Sequence, residues 1–237
     1  MSKIKLNIAV PNSLSDITLG QYQQYLKVVD TNKDIEDVED FLNLKALDIF
    51  CGLALKESYN LPVKHFMFAL EQLESCFGEE TPLIRRFQTR DDSGKQHEFG
   101  FIPDLEEMSV GEYTDIEKYI SNWQEMHKAM AVLFRPIKTN FPKEMYEIYE
   151  YKGSEEYAMA MKELPVSIVL GAVVFFYRLG MKLSENMMDY SKKQAEKLGQ
   201  ESETLLKGGD GTLLSMYSVR ETLLESMRFQ RFHSIRP

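Results

Sequence analysis

The side chains able to do chemistry are few in this chain and stand apart from one another. The four histidines, His65, His97, His127 and His233, fall in unlike segments, and no Cys or His lies three or four residues from another, the spacing a zinc site needs. Cys51 and Cys76 sit in apolar helical contexts and read as buried reduced thiols, not as a disulfide or redox pair. The alternating oxygen donors Asp30, Asn32, Asp34 and Glu36 resemble the first half of a calcium loop. That loop needs glycine at position six and a bidentate Glu at position twelve, where this chain has Ile35 and Phe41; Asp37 stands at position eight. A solvated acidic loop is the simpler reading. No G-x-S-x-G elbow presents a nucleophile. Gly208-Gly209-Asp210-Gly211 lacks the Lys-Ser/Thr that follows a phosphate cradle, and reads as a hinge. The expectation is a protein with no catalytic residues, no cofactor and no metal, and not an enzyme.

The elements carry more information than the reactive groups. A short phrase occurs twice: Ile17-Thr18-Leu19-Gly20-Gln21-Tyr22 and Met108-Ser109-Val110-Gly111-Glu112-Tyr113. Each places a hydroxyl where it can cap a helix, and each is followed by a matching segment, Lys45 to Phe50 after the first and Lys128 to Leu133 after the second. A capped helix plus a second segment, built twice, describes a packing unit, so an internal pseudo-repeat is expected.

Around it, Ile4, Leu6, Ile8 and Val10 alternate as a strand closed by Pro11, and helices are expected at about 19–29, 38–56, 62–77, 110–119, 123–134 and 154–162. Residues 83–90 and 96–102 flank the Gly-bearing turn at 91–95, the pattern of a β-hairpin. A segment at 145–151 suits a short strand or turn. The apolar run 166–177 is too short for a membrane span, which needs about 20 residues. It is expected to be the buried start of a long helix from Pro165 to about Leu198, with Gly171 allowing another helix to approach. The fold class is therefore mainly α, a helical domain with an internal pseudo-repeat plus a small antiparallel β element made of the N-terminal strand and the hairpin. A body at 1–207 and a hinged C-terminal docking arm at 208–237 complete the organisation.

Charge narrows the partners. The chain has 28 Lys+Arg and 37 Asp+Glu, a net charge of −9. Residues 1–177 carry 18 basic against 29 acidic groups (−11), and 178–237 carry 10 against 8 (+2). An acidic body disfavours nucleic acid, whose phosphates require clustered Lys and Arg. Met1 leads directly into the alternating run, so no signal peptide is expected, and the chain is expected to be made and kept in a reducing cytoplasm or in something assembled there. The candidate protein-interaction residues are those of the hairpin, Arg85, Arg86, Arg90, Asp92 and Lys95, and those of the arm. In the arm an apolar face of Met216, Tyr217, Leu224 and Met227 runs into Arg228, Phe229, Arg231, Phe232 and Arg236, a mix of guanidinium and aromatic groups that suits a protein interface.

Two segments resemble a known family. Gly100 to Leu105, running into the second copy of the phrase, and Met126 to Ile137 are similar to a small-protein family of tailed bacteriophages associated with head–tail or tail morphogenesis; Leu164 to Gly180 fits it too. The resemblance covers about residues 16–180. It implies a non-enzymatic phage structural or assembly protein, in first place a head–tail connector ring or tail component of the virion, assembled in the host cytoplasm. Its partners would be other phage structural proteins and further copies of itself in a ring, with no membrane and no sequence-specific nucleic acid. The alternative is a soluble tail assembly chaperone that stays in the host cytoplasm. A distant third is an unrelated protein-binding helical adaptor.

Overall fold

Two hydroxyls start the two helices that the repeated phrase predicts. Thr18, in extended backbone, accepts from the Gln21 amide at 3.2 Å while Gln21 Oε1 accepts from the Thr18 amide at 3.0 Å. Ser109 and Glu112 make the same reciprocal pair at 3.3 and 2.7 Å. Each box satisfies two of the amides that a helix start leaves orphaned. The structure, a computed structural model, describes residues 8–181 apart from 79, 91–92, 106, 143–144 and 180. Within them α1 (Leu19–Asn32), α2 (Glu39–Cys51), α3 (Leu55–Tyr59) and α4 (Val63–Cys76) precede a hairpin of β1 (Arg86–Arg90) and β2 (Gln96–Phe101). Then follow α5 (Val110–Tyr119), α6 (Met126–Leu133), β3 (Phe134–Asn140), β4 (Tyr146–Ile148), α7 (Ala158–Met161) and a helix α8 at 166–179. The fold is mainly helical with one small antiparallel sheet in the order β1-β2-β3-β4.

The helical part of the core gathers on aromatic rings. Tyr22 packs edge-on to Trp123 at 4.9 Å and tilted against Phe77 at 5.8 Å, and Tyr25 meets Phe50 at 5.3 Å. The sheet presents its own aromatic face to the same core. Phe87 stacks on Phe99 at 5.6 Å, Phe101 lies edge-on to Phe134 at 5.2 Å, and Phe101 also meets Phe175 of α8 at 5.6 Å. Because strand side chains alternate, Phe99 and Phe101 fall on one face while Glu98 and Gly100 fall on the other. Helix α8 is the spine that the apolar run predicts: Val166, Val169, Ala172 and Val173 are all fully buried. Its partner at Gly171 is not another helix but the extended backbone of Pro82 and Leu83, so close that a Cβ would stand 2.4 Å from the Pro82 carbonyl oxygen.

Further expectations need correction. The helix expected over 123–134 is a single turn at Trp123–Glu125 followed by α6, and the chain passes from α6 into β3 without a loop. Pro136 does not stop the element. It lies inside β3, opposite Phe99 of β2 at a pair that exchanges no hydrogen bonds, and its carbonyl accepts from Tyr149 at the end of β4. Its missing N–H thus falls where β4 runs out, which is why proline is tolerated there. The N-terminal strand is absent over its described part, since residues 8–10 are irregular and the rest lies outside the described residues. Finally, the pseudo-repeat is local. Both phrases cap a helix in the same way, yet Tyr22 is 1% exposed and Tyr113 50% exposed. Gly20 lies against Lys162, whose carbonyl accepts its amide at 2.8 Å, whereas the space around Gly111 is open.

Candidate interaction surface

The polar residues at N3 of the two capped helices do more than close the caps. Gln21 Nε2 donates to the Ile49 carbonyl of α2 at 2.9 Å. Glu112 Oε1 pairs with Arg135 Nη2 of β3 at 2.5 Å, with Arg135 and Glu112 only 8% and 6% exposed. The guanidinium lies 5.8 Å from the Tyr151 ring, and the Tyr151 hydroxyl donates in turn to Asp115 of α5. Burial lowers the Arg135 pKa and the Glu112 carboxylate opposes that shift. Burial, then the bond to Asp115, raises the Tyr151 phenol. Arg135 Nε has no hydrogen-bond partner among the described residues. This cluster clamps α5 to the sheet, with the Glu112 carboxylate and the Arg135 guanidinium paired to each other. No sequence spacing pointed to it beyond the S-x-x-E capping signal.

A second buried polar group joins α1 to the segment before α6. Gln23 Nε2 donates to the Trp123 carbonyl at 2.6 Å and faces His127 Nδ1 at 3.1 Å, and Gln124 Nε2 donates to the Gln23 carbonyl at 3.0 Å. With Nδ1 accepting, the imidazole proton is assigned to Nε2. The His127 pKa is lowered from 6.5 by burial first, then by Lys162 and Lys128, with Glu155 and Glu125 opposing. A folded pKa below the unfolded value means the unfolded chain binds the extra proton. Stability from this group is therefore complete above about pH 6.5 and declines as the pH falls below it. Urea midpoints are expected to drop between pH 7.5 and 5.5, and His127→Gln is expected to flatten that slope. An unchanged slope in the variant would remove His127 as its source.

The remaining candidates are dispersed. His65 is exposed, and His97 is half-buried, edge-on to Phe99 at 6.3 Å. Cys76 is a buried thiol donating to the Pro11 and Gln72 carbonyls, and burial pushes the Cys51 thiol up to about 11. Among the described residues no group of three or more His, Cys, Asp and Glu could hold a metal ion, and no helix is long and apolar enough to cross a membrane.

The hairpin is where the predicted interaction residues meet the structure, and it divides them. Arg86 is committed to its own sheet: Nε donates to Glu98 Oε1 at 3.0 Å, Nη2 to Asn140 Oδ1 at 2.6 Å, and the guanidinium lies 5.3 Å from the Tyr146 ring. That ring crosses the sheet over Gly100, where an added Cβ would meet it at 2.3 Å, and its hydroxyl donates to the Phe101 carbonyl at 2.7 Å. Arg85 is exposed with its guanidinium 5.9 Å from the Phe101 ring, while Arg90 and Lys95 are exposed at the strand end and in the turn. Asp92 and the arm residues Met216, Tyr217, Leu224, Met227, Arg228, Phe229, Arg231, Phe232 and Arg236 lie outside the described residues.

The backbone adds what the sequence did not mark. Phe101 donates to the Arg85 carbonyl, so by alternation Phe87 and Thr89 also bond inward to β2, and the amides and carbonyls of Arg86, Gln88 and Arg90 point away from the sheet. At the opposite edge Met145 and Tyr149 bond inward to β3, leaving those of Tyr146 and Ile148 pointing outward. No protein-family model, no curated protein and no solved structure matches the chain.

Proposed function

We propose that this chain is a structural component of a tailed-phage particle, a head–tail connector ring or tail subunit, that works by binding its neighbours and not by chemistry. The supporting observation is that the three segments carrying the resemblance form one physical unit. Gly100 and Phe101 pair with Arg135 and Phe134, Ile102 donates to the Leu133 carbonyl at 2.9 Å, and Phe101 packs on Phe175 of the third segment. A likeness confined to scattered surface loops would have no such coherence. The polar clusters also fit the reading, since among the described residues each ties one element to another. In this role the particle would form in the host cytoplasm, with the exposed hairpin and the arm at 208–237 as docking elements toward other copies and other phage proteins. The protein content of purified particles tests the reading. A structural subunit is recovered in them, whereas an assembly chaperone is left behind with unassembled tail protein.

A further inference from the structure

We propose that copies of this chain join edge to edge, β1 of one copy pairing antiparallel with β4 of the next, so that the small sheets merge head to tail. The inference rests on the reading of the chain as a self-assembling structural subunit, and names the two surfaces that meet. Both outer strands end the sheet, and their outward backbone groups bond to no other strand among the described residues. Such rows of amides and carbonyls are templates for another strand. The topology fits the partner. Four strands, each antiparallel to the last, leave β1 and β4 running in opposite directions. A second copy laid alongside in the same orientation therefore brings its β4 antiparallel to β1, with the aromatic faces of both sheets on the same side.

Charge selects this pairing over β1 with β1 or β4 with β4. Residues 85–90 hold Arg85, Arg86 and Arg90 with no acid, and because Arg86 is paired with Glu98 the charge left to the edge is that of exposed Arg85 and Arg90, +2; residues 145–150 hold Glu147 and Glu150 with no base, −2. Glu147 and Glu150 are exposed, as is Arg90, and exposed Met145 and Tyr149 supply apolar contact beside the acidic strand. Like edges repel and unlike edges attract, which sets partner and direction together. A contact between two different surfaces propagates, closing into a ring where the rotation between copies allows it.

The test uses the full-length chain and two variants, each disabling one edge. In Gln88→Pro the ring removes an outward amide, a substitution edge strands tolerate, together with the exposed bond that Gln96 Nε2 donates to Gln88 Oε1 at 2.8 Å within the hairpin. Glu147→Lys with Glu150→Lys reverses the charge of the other edge at exposed positions. Circular dichroism checks that each folds, and sedimentation reads association. The wild type is expected to form oligomers larger than dimers, weakened by salt. Each variant is expected to associate roughly tenfold or more weakly, for loss of a ladder bond or of the charge match. Mixing the two variants is expected to restore dimers and nothing larger, because each supplies the edge the other has lost.

Several results would overturn the pairing. Variants that assemble like the wild type would leave self-assembly intact but move it to another surface. A mixture that stays monomeric while the wild type oligomerises would do the same. A wild type that is monomeric, with the Gln88 and Arg90 amides protected from exchange, would mean that the chain covers this edge with its own residues. Should Gln88→Pro fail to fold, the Glu147→Lys, Glu150→Lys variant decides alone: unchanged assembly refutes the pairing.

Discussion

Glu112→Gln is expected to destabilise the fold by roughly 3–5 kcal/mol, the cost of breaking a buried pair by removing one partner. The substitution keeps the size and shape of the side chain, and so isolates charge. In the native protein one carboxylate oxygen takes the Ser109 amide at 2.7 Å and the other takes Arg135 Nη2 at 2.5 Å. A carboxamide has only one oxygen. If it keeps the cap it turns an NH₂ toward the guanidinium, and Arg135 is left buried without its counter-charge. Loss of the cap alone is far smaller: Ser109→Ala is expected to cost about 1 kcal/mol. Replacing both partners, Glu112→Gln with Arg135→Met, is expected to recover much of the loss, since an apolar side chain leaves no charge to solvate. Urea unfolding of the four proteins measures all of this. A loss below about 1 kcal/mol for Glu112→Gln would mean that water screens the pair as at a surface.

The second large effect concerns two glycines of opposite sign. Gly171→Val is expected to destabilise by about 3 kcal/mol or more, as overpacking against an unyielding neighbour. Already at Gly171→Ala a Cβ would lie 2.4 Å from the Pro82 oxygen and 3.0 Å from the Pro82 carbonyl carbon, both backbone atoms. No rotamer relieves that, so α8 must move off the segment leading into β1, and Phe101 must loosen from Phe175. The gain of about 1 kcal/mol that alanine brings to a helix does not offset the clash. Gly111→Ala is the control: the nearest heavy atom to the added Cβ is Ser109 Oγ at 4.0 Å, so the same change should be neutral or stabilising by up to about 1 kcal/mol. Thermal unfolding that ranks Gly111→Ala at or above the wild type and Gly171→Val well below it supports this packing. The reverse order would contradict it.

These positions also show what the sequence makes legible. The capping boxes at Thr18 and Ser109 were readable because a cap is local: hydroxyl, spacing and N3 residue lie within four positions. The hairpin was readable for the same reason, as two alternating runs flanked a Gly-bearing turn, and Gly94 has φ 82°. Helix α5 begins at the residue after its cap and ends at Tyr119 as expected. What the sequence hid is non-local. Strand β3 was concealed because Met126 to Leu133 runs on into Phe134 without a turn residue, and because Pro136 ordinarily ends a helix; only β2 and β4 reveal it as a strand. Gly171 signalled close approach but could not say of what. Arg86 looked available from its position in the hairpin, yet Glu98 and Asn140, 12 and 54 residues away, hold it. The outward-facing backbone of β1 and β4 has no side-chain signature at all, because it follows from strand order.

The proposed role makes this chain a building block of the particle, present in many copies and held there by its edges and arm. Quantitative mass spectrometry of purified phage particles tests it most directly. The expected result is the full-length chain recovered at a fixed multiple-copy ratio to the other structural proteins, unchanged by a further round of density purification. A chain that is absent from purified particles but abundant in the infected-cell lysate would contradict it.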